Sequence, residues 1–199
     1  MAQPPPLNGV RVAILVDDGF EQVELTSPRD ALHDAGATTI VVSPQPDNVW
    51  GWNGEKRDES FRVDVTIADA KPTEFDALLI PGGVRSADAL RVSNKAVLFV
   101  HGMQIARKPI AAICHAPWIL IETGYVRGQT VTSSPSLRSD LINAGAAWED
   151  RPVVTAELLV TSRGPADLQQ FNEAAIALFT PRSEKTKNGG AKRAGKATR

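Results

Sequence analysis

Pro109-Ile110-Ala111-Ala112-Ile113-Cys114-His115-Ala116-Pro117 decides the fold. From Pro109 to Ile113 the residues are apolar without alternation, the pattern of a strand covered on both faces of a parallel sheet. The chain then turns at Cys114, and Pro117 stands where the first turn of a helix tolerates a residue lacking an N–H. Trp118 to Glu122 continues that helix to a stop at Gly124. Small residues two before and two after Cys114, Ala112 and Ala116, complete the small-x-nucleophile-x-small pattern of a nucleophile elbow.

Outward from this unit, strand and helix signals alternate. Val10 to Val16 reads as a strand, followed by the turn Asp17-Asp18-Gly19 and a helix from about Val23 to Ala35 that stops at Gly36. Thr38 to Ser43 is a second strand, and Asp76 to Ile80 a third that runs into Pro81-Gly82-Gly83. Between them, Pro44 to Arg62 is polar and carries Trp50 and Trp52, as an irregular loop or hairpin does. Lys95 to Arg107 reads as a helix, Val153–Thr155 and Leu158–Ser162 as a short pair of strands, and Ala166 to Phe179 as a final helix. This order predicts a single α/β domain over residues 9–180, with a doubly wound, mostly parallel, flavodoxin-like sheet flanked by helices. Residues 1–8 read as an N-terminal extension and residues 181–199 as a basic, disordered tail.

Composition narrows the function classes. A chain of 199 residues buries a full core. No apolar run approaches the roughly 18 residues of a membrane span, and the N-terminus lacks signal-peptide character. A single cysteine makes no internal disulfide. A cytoplasmic location is therefore expected. The tail from Arg182 onward is basic, which leaves the body net acidic and argues against a dedicated nucleic-acid reader. His33, His101 and His115 are scattered, so no metal-ligand spacing occurs. Neither G-x-G-x-x-G nor a Walker pattern is present, and no cofactor is expected.

Ligands of open parallel sheets collect beyond the carboxyl ends of the strands. Three such ends carry chemistry: Gly19-Phe20-Glu21, Pro81-Gly82-Gly83 and Cys114-His115. Cys114 is the candidate nucleophile, its thiolate stabilised by the following helix N-terminus, although an unpaired cysteine also serves as a buried core residue. His115 is either the base or imidazolium partner of Cys114, or a histidine making one structural hydrogen bond. Glu21 is either a carboxyl that holds a proton or a water beside the thiol, or a helix-start carboxylate. The N–H groups of Gly83 and His115 suit an oxyanion hole, while the glycines also serve a tight turn. Gly82 and Trp118 complete the expected substrate contacts.

Five segments together resemble the PfpI intracellular-protease family, in the ThiJ/PfpI group of the class I glutamine-amidotransferase-like superfamily. They are Gly19–Glu24, Asp76–Gly83, Ala112–His115, Thr132–Ser136 and Leu159–Arg163. The resemblance implies Cys114 as nucleophile, Glu21 as its carboxyl partner, His115 as second member of a triad and Asp88 as the acid, supplied in some relatives by a neighbouring subunit. It further implies a homo-oligomer, dimer or hexamer. The implied activity is a cysteine-dependent, stress-protective hydrolase of the deglycase or glyoxalase type, acting on methylglyoxal or its adducts on proteins or small molecules. The alternatives are an intracellular cysteine peptidase and a non-enzymatic redox sensor or holdase. Two departures stand out: Ala116 replaces the family's usual glycine, which narrows the expected elbow, and Lys56-Arg57-Asp58 alters the expected substrate rim.

Overall fold

Ala13 and Leu15 point into one hydrophobic core, while Val12 and Ile14 point into another. This period of two along a fully apolar strand requires helices on both faces of the sheet. The computed structural model, which describes residues 4–181, has that arrangement. β1 (Arg11–Leu15) leads through β2 (Phe20–Glu21) into α1 (Gln22–Asp34), and β3 (Thr38–Ser43) follows. A hairpin of β4 (Asn48–Asn53) and β5 (Lys56–Arg62) comes next, then β6 (Val65–Thr66), β7 (Ala77–Ile80), α2 (Val84–Val92) and α3 (Asn94–Ile105). The second half holds β8 (Ile110–Ile113), α4 (Pro117–Glu122), β9 (Thr130–Val131), α5 (Arg138–Asn143) and β10 (Ala147–Trp148). β11 (Val153–Thr155), β12 (Leu159–Ser162) and α6 (Leu168–Phe179) complete the order.

The central sheet runs β11-β12-β8-β7-β1-β3-β6. Every pairing in it is parallel except that of the edge strand β11 with β12. α1 and α6 cover one face through Leu25, Leu32, Phe171 and Ala175. α2 to α5 cover the other through Leu90, Val100, Leu120 and Leu141. The carboxyl ends of β1, β7 and β8 are thereby adjacent, as a switch point in the strand order requires of a ligand site. No helix among the described residues is long and apolar enough to cross a membrane.

Four features differ from or sharpen the expectation. α2 lies in a segment, between Gly83 and Lys95, to which the sequence pattern assigns no element, and its buried side is only Ser86, Ala87 and Leu90. The Trp-rich segment is a hairpin, and β2 pairs with β4 to extend it into a three-stranded sheet above the carboxyl end of β1. Residues 165–167 form a 3₁₀ turn, so the last helix starts at Leu168. The end of the expected N-terminal extension is packed: Leu7 is fully buried and its N–H donates to the Ala35 carbonyl at 2.9 Å. The tail expected from residue 181 lies, from residue 182 on, outside the described residues.

Candidate active site

Cys114 has φ 62°, in the left-handed region that a residue with a Cβ enters at a cost of about 1–2 kcal/mol. Three backbone bonds hold it there. Its N–H donates to the Ser162 carbonyl at 2.9 Å, its carbonyl accepts the Ser134 N–H at 2.9 Å, and the Ala116 N–H closes on the Ile113 carbonyl at 3.0 Å. The bend expected of a nucleophile elbow is therefore present, and it turns the side chain out over the sheet edge. Ala116 is right-handed (φ −54°) with its methyl in the core, so no glycine is needed there and the narrowing inferred from its methyl does not arise.

The carboxyl packed against the thiol is Glu24, not Glu21. Glu24 sits on the first turn of α1 and is fully buried. Its Oε2 accepts the Gly82 N–H at 2.8 Å. The carboxyl is within hydrogen-bond reach of the Cys114 thiol, and Oε1 has no other hydrogen-bond partner. Glu21 ends β2, caps nothing with its side chain, and lines the cavity at partial exposure. The strand-to-helix switch explains the difference: Glu21 still belongs to the rim, whereas one helical turn carries Glu24 inward on the stripe shared with Pro28 and Leu32. That i, i+4, i+8 stripe is the sequence signal that would have found Glu24.

Burial raises Glu24 from its ordinary 4.5 to about 8, against the opposing Gly82 N–H and with a further rise from the charge of Glu21. The carboxyl is thus protonated at neutral pH and offers a hydrogen bond. Burial also pushes the Cys114 thiol up, and Glu24 adds to that rise only where it is ionised, above about 8. The backbone N–H groups of Gly83 and His115 reach the sulfur and lower its pKa, but by less. Burial thus opposes the expected low-pKa thiolate, while the two amides at the start of α4 and α2 favour it.

His115 Nδ1 lies 3.1 Å from Cys114 Sγ. Burial lowers the imidazole pKa, so His115 is neutral at pH 7 and placed as a base rather than as an imidazolium partner. Its Nε2 lies 3.0 Å from Ser136 Oγ, which is 3.0 Å from Ser134 Oγ. The bent elbow is what lets adjacent side chains meet.

Asp88 does not reach His115 within the chain. It projects from α2 and pairs with Arg91 Nε at 3.0 Å. An acid from another subunit would compete with Ser136 for the same nitrogen. Trp118, expected at the substrate, stands behind the imidazole instead: its ring centroid is 5.5 Å from that of His115, its Nε1–H donates to Asp140, and it does not line the cavity. Gly82 is buried and serves the Glu24 contact rather than the substrate, because a Cβ there would meet Glu24 Oε2 at 2.6 Å and Cys114 Cβ at 2.7 Å. Gly83, with φ 92°, does line the cavity.

These groups open on a cavity of about 200 Å³, walled by Trp52 and Gly54 of the hairpin, Val84 and Arg85 of α2, and Pro165. Sequence reasoning missed Glu24, Ser136, Trp52 and Arg85. The last three come from loops or from elements distant in sequence, and no local pattern marks them.

Known proteins are similar to the chain in sequence and fold. The model of the DJ-1/PfpI family matches residues 10–178. "Putative cysteine protease YraA" of Bacillus subtilis (strain 168) is 41% identical over 170 residues, covering 85% of this chain and 98% of that protein. "Protein/nucleic acid deglycase 2" of Escherichia coli (strain K12) is 40% identical over 170 residues, covering 85% and 97%. The crystal structure of Drosophila melanogaster DJ-1beta superposes with a TM-score of 0.77 at 26% identity, covering 86% of this chain and 91% of that one.

Proposed function

The chain belongs to the DJ-1/PfpI family, and from that premise we propose that it is a cysteine-dependent hydrolase of small carbonyl adducts, of the deglycase type. The observation that carries this reading is the thiol at the floor of a cavity of about 200 Å³, which holds a small dicarbonyl-derived group and no run of peptide residues. In the proposed reaction Sγ adds to the carbonyl carbon while the thiol proton passes to His115 Nδ1, 3.1 Å away. The carbonyl electron pair moves to oxygen, and the Gly83 and His115 N–H groups that reach the sulfur are placed to receive that charge. Protonated Glu24 is the proton donor at the adduct. The C–N bond of the hemiaminal breaks as the amine takes a proton, freeing the carbonyl carbon that Sγ attacks. The C–H proton of that carbon then moves through an enediol to its neighbour, which is reduced to a carbinol as the sulfur-bearing carbon is oxidised to a thioester. Water hydrolyses the thioester to the hydroxy acid and the free thiol.

A second reading, the cysteine peptidase, is favoured by the same Cys114–His115 contact and its two amide donors, which meet the needs of acyl transfer. One experiment separates the two. Purified protein is assayed on methylglyoxal-modified N-acetyl lysine and on a fluorogenic peptide library, each beside Cys114→Ser. Release of the free amine, lost in Cys114→Ser, supports the deglycase. Peptide cleavage without amine release replaces it with the peptidase, and activity retained in Cys114→Ser removes both.

A further inference from the structure

Arg85 is a guanidinium held in place without a carboxylate. Its stem packs on Gly19, where a Cβ would stand 2.6 Å from Arg85 Cβ and 2.9 Å from Cδ. Its head lies 4.3 Å from the centroid of Trp52. Stem and head are therefore both fixed, which removes much of the rotamer freedom that an arginine otherwise loses on binding a ligand. Among the described residues no Asp or Glu oxygen lies in ion-pair range of it. Arg85 is also the one Lys or Arg side chain among the residues that line the Cys114 cavity.

The same side chain borders a second space of about 300 Å³, walled also by Gly19 and Trp52, whose other lining includes Trp50 and Arg57. Arg57 lies 3.5 Å from the centroid of Trp50 and makes no ion pair among the described residues either. Trp50 and Trp52, two apart on β4, thus each carry a stacked guanidinium, that of Trp52 at the thiol cavity and that of Trp50 at the adjoining space. Two carboxylates face the same spaces. Asp18 accepts the Trp50 N–H at 2.8 Å, and Glu21 lines the thiol cavity. An acceptor and one cation in the thiol cavity, with a second cation in the adjoining space, define an oriented ligand, with hydroxyl or amine toward Glu21 and anion toward Arg85.

We propose that Arg85, with Arg57 beyond it, forms a subsite for an anionic group, so that the preferred substrates are carbonyl compounds or adducts bearing a carboxylate or phosphate next to the carbon attacked by Cys114. This assignment rests on the carbonyl reading of the thiol site and specifies its substrate class. It also gives the Lys56-Arg57-Asp58 departure of the hairpin a role, since the hairpin brings Arg57 to the adjoining space.

The test measures protection of Cys114 from iodoacetamide, followed by intact mass, as a function of carbonyl concentration. Glyoxylate probes a carboxylate, glyceraldehyde phosphate a phosphate, and methylglyoxal is the neutral reference. For each anionic probe the readout is the ratio of its half-protecting concentration to that of methylglyoxal. In Arg85→Met, which keeps the stem, the ratio for glyoxylate is expected to rise roughly tenfold, the scale of one charge-assisted hydrogen bond. Arg57→Met is expected to raise the ratio only for glyceraldehyde phosphate, which reaches the second space, and Arg85→Lys to rise less than Arg85→Met. Melting curves confirm that each variant is folded. Unchanged ratios in a folded Arg85→Met overturn the subsite and leave the carbonyl reading standing, with Arg85 only pinning the hairpin. No protection by any carbonyl, methylglyoxal included, overturns both.

Discussion

Glu24 Oε2 accepts the Gly82 N–H at 2.8 Å, and the missing side chain of Gly82 is what lets Glu24 and Cys114 share one pocket. A methyl at residue 82 would stand 2.6 Å from that oxygen, 2.7 Å from Cys114 Cβ and 2.7 Å from the Ile113 carbonyl. Two of these neighbours are strand or elbow atoms that do not swing away. Gly82→Ala is therefore expected to cost about 1–3 kcal/mol of stability and to abolish turnover, read by thermal melting and the amine-release assay. Full activity with an unchanged melt would show that the elbow relaxes freely.

The raised pKa of Glu24 has a defined sign in stability. The unfolded carboxyl releases its proton near 4.5, whereas the folded one keeps it to about 8. Any stabilisation tied to the retained proton is present below 4.5 and is lost as pH rises toward 8. The melting temperature should fall across that window in the wild type and fall less in Glu24→Gln, which preserves the acceptor for Gly82 and does not titrate. Parallel curves for the two proteins would place the ionisation elsewhere.

Glu24→Gln should also lose most turnover, because an amide donates no proton to the adduct; the loss of one general acid is about 10²-fold or more. Glu21→Gln should retain far more, since Glu21 lies on the rim. The reverse ranking, measured as kcat/KM on the same adduct, would return the acid role to Glu21.

Cys114 is expected to be a thiol at neutral pH. Its ultraviolet thiolate absorbance should be absent at pH 7 and grow only above the range of a free cysteine, about 8.5, because burial raises it and Glu24, once ionised above about 8, adds to the rise. Thiolate absorbance at pH 7 would mean that the Gly83 and His115 amides outweigh the burial.

Ser136 holds His115 Nε2 at 3.0 Å and thereby sets which nitrogen faces the sulfur. Ser136→Ala should lower kcat roughly five- to tenfold, the worth of about one hydrogen bond, with KM little changed and the acidic limb of the pH–rate profile displaced. Ser136→Thr should restore both. Asp88→Ala breaks only an exposed ion pair with Arg91 and should leave kcat within about twofold, as such pairs contribute little. A loss matching that of Ser136→Ala would show Asp88 reaching His115 from another subunit.

The sequence by itself determined the sheet and the elbow. Val12 to Leu15 and Ile110 to Ile113 are apolar on both faces, so they have no place but the middle of a covered sheet, and Ala112 and Ala116 leave room for a bend at Cys114. These are properties of neighbours in the chain. What the tertiary structure decided is which groups meet at that bend. Glu21 and Glu24 differ by one helical turn, and only the packing of α1 against the β7–α2 glycines chose the second as the buried carboxyl. Burial then opposes the expected ionisation of Cys114, since desolvation depends on what covers a group and not on the residues beside it. Ser136, Trp52 and Arg85 arrive from segments separated in sequence, held together by backbone pairing and stacking that leave no local pattern.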